Sequence, residues 1–264
     1  MQEEKEKNQQ DWFIAASSDR HLARAKSLAG QLDLPIVLDS KYRGPGLKVA
    51  DDGLTLYLPD DRGQALRMRV DFTSGKWQRR IATIGKEPLI RAMGKKRRSS
   101  PGKIIDATGG LARDSFLLAA AGHEILIYEK EPLLAMLVED GLQRAAGHPA
   151  ARAIAARIRL VCGDACRELD RIQSPPDVIY LDPMFPKEKK SARVKKNLQI
   201  IRAIARPCHG EDTQALFGAA IDCRPGRLVV KRPHNSPFLS AKKPVYSIDG
   251  PTIRYDIYLQ NITP

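Results

Sequence analysis

Residues 103–114, KIIDATGGLARD, constrain this chain more than any other stretch. Ile104 and Ile105 read as a short buried strand that runs into Asp106, then a turn on Thr108, Gly109 and Gly110, then a helix. Two adjacent glycines reach backbone conformations closed to other residues and let a ligand approach the main chain. The helix start beyond them presents unpaired N–H groups. An α/β sheet holds its ligands at this kind of strand end. The two common nucleotide motifs do not fit. GxxxxGK[ST] is absent, and GxGxxG would need glycines at Leu111 and Asp114.

What remains is a strand ending in Asp106, a glycine turn, and a second acid, Glu129, at the end of the next apolar run, Glu124 to Tyr128. An acid about twenty residues on is placed to accept both ribose hydroxyls. The arrangement suits the nucleoside half of S-adenosylmethionine, which carries no phosphate to be cradled. A further apolar run, Asp177 to Leu181, ends in Asp182-Pro183-Met184-Phe185-Pro186. Proline fixes φ and lacks an N–H, so the strand must stop and leave the Asp182 carboxylate and the Pro183 carbonyl at the sheet edge. Two such acceptors bind the hydrogens of an exocyclic amino group and favour its rehybridised, nucleophilic form, while Phe185 can stack on the base.

At these residues the chain resembles a known family. DATGGLARD, YEKEP after the second strand, DPMFPKEKKSARVKK, VVKRP and RYDIY are together similar to the RsmJ family of 16S ribosomal RNA guanine-N2 methyltransferases, over roughly residues 70 to 260. The resemblance implies a Rossmann-like class I methyltransferase sheet, mostly parallel with a closing antiparallel hairpin. It implies S-adenosylmethionine as cofactor and 16S rRNA or the small ribosomal subunit as partner. Cofactor contacts carried over from the family fall on Arg113 and Asp114, Glu129 and Lys130, Asp164 and Ala165, and Asp182, beside Asp106, Thr108, Gly109 and Gly110. Asp182 and Pro183 would orient the guanine amino group and Phe185 would stack on it. Ala112 stands where the family often has a glycine, and Asp164 and Ala165 where it often has hydroxyl residues.

The rest of the chain fits around this site. Residues 1–10 are polar and without an apolar anchor, and read as a disordered tail. Residues 11–93 read as a small α/β domain, with a helix through Leu22, Ala25, Ala29 and Leu32 and strands at Pro35 to Leu38, Leu54 to Leu58 and Leu66 to Val70. A basic linker, 94–102, leads to the methyltransferase domain at 103–264. There the strands continue at Ile158 to Cys162, Arg227 to Lys231, Val245 to Ile248 and Arg254 to Leu259. Such strand–helix alternation specifies a doubly wound sheet.

Charge points to the partner. The 44 Lys and Arg against 31 Asp and Glu leave a net +13, the footprint of a protein that meets a polyanion. Between Lys187 and Arg206 lie eight basic residues and one acid, Glu188. Beginning one residue after DPMFP, Lys187, Lys189, Lys190, Arg193, Lys195 and Lys196 are expected to bind RNA phosphates, with Lys231 and Arg232 extending the track. Val194, Leu198, Ile201 and Ala205 recur at helical spacing behind them.

No apolar run approaches the length of a membrane span and no signal peptide is evident, so a soluble cytoplasmic protein is expected. The four cysteines form no CxxC pair; buried free thiols are expected, and no metal site. Two other readings stay open on the residues alone. One is an amino-methyltransferase acting on other RNA, DNA adenine or protein; the other is a non-catalytic RNA-binding protein.

Overall fold

A computed structural model describes residues 12–38, 44–59, 64–94, 102–183, 196–204 and 210–259. Its larger sheet has seven strands: β6 (Lys103–Asp106), β7 (Glu124–Glu129), β8 (Ile158–Cys162), β9 (Val178–Leu181), β10 (Arg227–Pro233), β11 (Tyr246–Asp249) and β12 (Ile253–Leu259). They lie in the order β11-β12-β10-β9-β6-β7-β8. β8, β7, β6, β9 and β10 are parallel, and β12 closes the sheet antiparallel to both β10 and β11. The doubly wound sheet with its closing hairpin is the one expected. The order reverses at β6, which has β7 on one side and β9 on the other, and ligands of such sheets bind outside the carboxyl ends of the strands at that point. At the opposite edge, the Asp177 carboxylate accepts from Lys103 N at 2.8 Å and pins the starts of β6 and β9 together.

Local sequence explains the helix bounds. The helix Arg113–Ala120 ends before Gly122, whose φ of +87° only glycine adopts without strain. Pro132 opens the helix Pro132–Ala146, at the position where its missing N–H costs nothing. Ala112 precedes Arg113 at φ +52°, a left-handed conformation that costs an L-residue about 1–2 kcal/mol. That is why this position suits a glycine, and why the alanine here is held by its burial in the core.

The smaller sheet has the order β2-β1-β3-β4-β5, with β1 at Phe13–Ala16, β2 at Ile36–Leu38, β3 at Gly46–Ala50, β4 at Gly53–Pro59 and β5 at Ala65–Met68. β1 is parallel to β2 and β3, with the helix Leu22–Leu32 as crossover, and β3-β4-β5 form a meander. Sequence periodicity alone did not mark β1, β3 or the helices Gly75–Ala82, Pro88–Ala92 and Gly210–Asp222. β1 and β3 are buried along nearly their whole length, so neither alternates, and the amphipathic helix Gly75–Ala82 has only one short turn of apolar spacing.

One apolar core runs through both sheets. It links Ile14, Leu47, Leu54 and Leu56 to Phe116, Leu134, Leu137 and Val138 and on to Ile104 and Val229. The helix Pro132–Ala146 is the shared layer: β4 packs on one side of it and β7 and β8 on the other. Gly141 permits this approach, since a Cβ there would lie 2.7 Å from Val70 Cγ1. Asp140, 1% exposed, is clamped by Arg24 at 2.6 Å and by Arg144 at 2.9 Å, and Arg144 also donates to the Val70 carbonyl. A second cluster, including Ile179, Leu228, Val230, Leu216 and Phe217, fills the other face of the large sheet beneath the helices Ala165–Leu169 and Gly210–Asp222.

The helix Lys196–Ile204 docks on β5 of the small sheet through Ile200, Ile201 and Ile204. The apolar spacing expected there holds for Ile201. The fully buried residue is Ile200, while Val194 and Ala205 lie outside the described residues. The basic linker (residues 95–101) and the polar tail also lie outside them. The thiols differ from expectation: Cys162 ends an edge strand and is exposed, and Cys166 and Cys223 are half-buried.

Because one core spans both sheets, urea should unfold the protein in a single transition reported identically by Trp12 and Trp77 fluorescence and by circular dichroism. Removing Asp140 strands Arg144 beside the core, so Asp140→Ala should lower stability by about 3 kcal/mol in the same titration. Two separated transitions would mean that the sheets fold independently.

Candidate active site

The carboxyl ends of β6, β7, β9 and β10 meet in one cluster of charge. Asp106 is turned inward, away from solvent. It accepts from Thr108 N at 3.0 Å and from the Ser115 hydroxyl, so it ties the glycine turn to the first turn of the helix. Burial pushes its pKa up to about 7, against the hydrogen bonds from Ser115 and Thr108. Thr108 Oγ1 accepts from Asp182 N at 2.6 Å and so fixes the backbone at the end of β9.

Glu129 ends β7 with both carboxylate oxygens engaged by main chain, Oε2 by Gly110 N at 2.5 Å and Oε1 by Glu131 N at 2.8 Å. Burial raises its pKa, opposed by these two bonds. Gly109 lies tight against β7, where a Cβ would come within 2.5 Å of Ile127 Cγ2. Gly110, at φ +54°, has only the Thr108 carbonyl oxygen near the position of a Cβ, in ordinary contact at 3.8 Å. An open turn beside a rigidly oriented acid fits an uncharged nucleoside diol. Each Glu129 oxygen keeps a lone pair for a ribose hydroxyl.

On the other side of the turn, Lys231 stands between two carboxylates. Its Nζ lies 2.7 Å from Asp114 Oδ2 and 2.8 Å from Asp182 Oδ2. Register places it there: Val230 pairs with Leu181 across β10 and β9, so the next residues of the two strands, Lys231 and Asp182, are neighbours. The Tyr180 hydroxyl donates to Asp114 Oδ2 at 2.7 Å. Burial pushes Asp114 up, but the Lys231 charge and the bonds from Lys231 and Tyr180 outweigh it and leave its pKa below the ordinary carboxylate value. Asp182 keeps 39% of its side chain exposed at the mouth, yet desolvation on its inner side prevails over Lys231, with Asp114 adding repulsion, and the pKa is raised. Desolvation lowers Lys231, but the two carboxylates more than reverse this and hold it firmly protonated. Tyr255, facing Lys231 across β10 and β12, is buried beside them with its pKa raised.

Other residues expected at the site fall as follows. Arg113 and Lys130 are exposed at the ends that follow the turn and β7. Asp164 caps the helix Ala165–Leu169 by accepting from Cys166 N at 3.0 Å, with Ala165 buried behind it. Pro183 is buried. Phe185, Lys187, Lys189, Lys190, Arg193 and Lys195 lie outside the described residues; Lys196 opens its helix, and its side chain is also outside them. Lys231 and Arg232, expected on the RNA track, are placed differently. Lys231 is held by the two acids, and Arg232 is 5% exposed with Nε and Nη2 on the Pro237 carbonyl at 3.1 and 2.7 Å. Both lie past the end of β9, where β12 alone flanks β10, and each is drawn inward by its acceptors, Lys231 by the two acids and Arg232 by the Pro237 carbonyl. Sequence reading missed Ser115 and Tyr180. The only trace of Tyr180 was a phenol inside the apolar run DVIYL. A separate open groove of about 370 Å³, lined by Ser17, Lys48, Asp51, Asp52, Thr55 and Tyr57, lies on the small sheet away from this edge.

The sheet order, the nucleoside-type turn and the acid-ended strands define an S-adenosylmethionine-dependent methyltransferase. Residues 27–260 match the family model described as "Putative SAM-dependent methyltransferase". The crystal structure of a SAM-dependent methyltransferase from Neisseria gonorrhoeae superposes with a TM-score of 0.71 at 29% identity, covering 96% of this chain and 97% of that one. A protein of Thioalkalivibrio sulfidiphilus named ribosomal RNA small subunit methyltransferase J is 41% identical over 93% of this chain and 96% of its own length. One of the same name from Pseudomonas aeruginosa is 39% identical, covering 89% of each. The chain belongs to the ribosomal RNA small subunit methyltransferase J family.

Two measurements test this electrostatic layout. Asp106 in the folded state keeps a proton that the unfolded chain, with an ordinary value of 3.8, has already released. Stability should therefore fall as pH rises from about 4 to about 7, by at most on the order of 4 kcal/mol. Asp106→Asn should flatten that slope in urea titrations. For Lys231→Met, Asp182 loses its neighbouring cation and its pKa rises further, so the acid limb of the kcat–pH profile should move to higher pH and kcat should drop ~10-fold or more. Lys231→Arg should restore part of the rate, and an unchanged profile in Lys231→Met would separate Lys231 from the chemistry.

Proposed function

We propose that this protein transfers a methyl group from S-adenosylmethionine to the exocyclic N2 of a guanine in 16S rRNA of the small ribosomal subunit, in the cytoplasm. The observation that carries the reading is Asp182, fixed through its backbone by Thr108 and through Oδ2 by Lys231. When bound, the cofactor supplies a sulfonium methyl already activated for attack. The protein's task is then alignment, which can supply a large share of the acceleration. Lys231 engages Oδ2, so Oδ1 is the oxygen offered to an amino hydrogen of the base, together with the Pro183 carbonyl. As the new N–C bond forms and the methyl–sulfur bond breaks, with the neutral thioether S-adenosylhomocysteine leaving, the amino nitrogen must shed a proton, and Asp182, with 39% of its side chain exposed at the mouth, offers a route for it to solvent. Glu129 and the Gly110 turn hold the ribose, Arg113, Lys130, Asp164 and Ala165 line the same edge, and Phe185 stacks on the base.

None of the helices among the described residues is long and apolar enough to cross a membrane, and no cluster of metal-ligating side chains occurs among those residues.

The test is transfer of labelled methyl to small subunits and to naked 16S RNA lacking the modification, with duplex DNA as control and nucleoside analysis of the product. N2-methylguanosine from the ribosomal substrate is expected, and Asp182→Ala should abolish it while the variant binds cofactor and stays folded. Label in a different nucleoside overturns the guanine assignment, and full activity of Asp182→Ala removes that carboxylate from the mechanism.

A further inference from the structure

The small sheet's C-terminal extension reaches the catalytic edge of the large one. The helix Gly75–Ala82 is anchored by Trp77, whose ring meets Phe116 edge-on at 5.0 Å and whose Nε1 donates to the Asp71 carbonyl at 2.8 Å. Phe72 stacks on the same Phe116 at 4.4 Å. Phe116 sits in the helix whose first turn carries Asp114, and the Arg80 guanidinium lies within the electrostatic reach of Asp114 and Tyr255. Arg80 is bound to Glu87 at 2.7 Å, and Pro88, the next residue, rests on the β11–β12 turn, where a Cβ at Gly250 would stand 3.7 Å from Pro88 Cγ. That turn follows Asp249 and precedes Arg254, which pairs with Asp249 and lies opposite Arg232 at the carboxyl end of β10. Residues 75–88 therefore span from the first turn after the cofactor loop to the closing hairpin, along one side of the catalytic mouth.

The outer surface of this span is basic. Lys76, Arg79 and Lys86 are exposed, no acid lies in the first turn of the helix, and the one acid within residues 75–88, Glu87, is held by Arg80. Thr83, also exposed, supplies a neutral polar group between Arg79 and Lys86 in the chain. The helix Lys196–Ile204, next in the described chain after the strand that delivers Asp182, docks on β5 of the same small sheet.

Resting on the function proposed above, we infer that residues 75–88 form a phosphate-binding face that seats the backbone of the substrate RNA beside the target guanine. The cations and the neutral polar group are spaced along one rigid helix and turn, as contacts to a nucleic-acid backbone require, and they carry no base-reading carboxylate. The N-terminal sheet thereby acts as a positioning platform for the RNA strand.

The test compares the full-length enzyme with the triple variant Lys76→Gln, Arg79→Gln, Lys86→Gln. A control triple, Lys103→Gln, Arg157→Gln, Arg159→Gln, removes equal charge near the amino ends of β6 and β8. Methyl transfer and equilibrium binding of small-subunit RNA are measured across a salt series. For the first variant, KM and Kd for RNA should rise several-fold, and the slope of log K against log salt should shrink by about 0.7 to 0.9 per lost contact. Its kcat and its affinity for S-adenosylmethionine should hold, and the control should match the parent. Unchanged Kd and slope in the first variant, or an equal loss in the control, overturns the proposed face. If the parent methylates no ribosomal substrate, the function reading fails, and the binding series still decides the face on its own.

Discussion

The parallel pairing of β9 beside β6 is the contact on which the catalytic edge depends. It brings Asp106 level with Tyr180, lets Ala107 N donate to the Tyr180 carbonyl at 3.1 Å, and so delivers Asp182 within reach of Thr108. Two strands separated by some seventy residues of chain thus end at the same height, one offering a cofactor turn and the other a pair of acceptors. The pin between Asp177 and Lys103 at the far end keeps them from sliding. A slip of one residue would turn Tyr180 outward and carry Asp182 away from Lys231.

Charge within the edge is balanced by position as much as by number. Asp106 is half-neutralised by its own burial, Asp114 is kept ionised by Lys231 and Tyr180, and Asp182 is poised above the ordinary range at the mouth. A single half-buried ammonium serves two carboxylates that belong to different parts of the site. Removing it would leave both acids facing each other across a low-dielectric gap, so the lysine is as much a structural member as an electrostatic one.

Much of this layout was legible in the sequence, and for identifiable reasons. Asp106, Gly109, Gly110, Glu129 and Asp182 all sit where a strand ends, and strand ends are marked by glycine, proline and a change of hydropathy. Lys231 was visible only as a basic residue, because its role depends on the register of β10 against β9, which no local pattern encodes. Ser115 and Tyr180 were hidden within apolar runs, and a buried hydroxyl leaves no trace until its acceptor is placed. The small sheet was read as strands and one helix, but its attachment to the large sheet through Gly141, Asp140 and Phe116 is a long-range fact. Ala112 shows the reverse: a departure from a familiar pattern that becomes intelligible once its left-handed backbone is seen.

The shared core also has a meaning for how the molecule is made. The small sheet is synthesised first, yet the residues that cover its inner face lie on the helix Pro132–Ala146 and the helix Lys196–Ile204. A nascent chain that has emerged only as far as the first strands of the large sheet therefore carries an uncovered apolar surface. Through Lys130 such a chain carries 23 Lys and Arg against 17 Asp and Glu, a net +6 whose mutual repulsion opposes association while it waits for the rest.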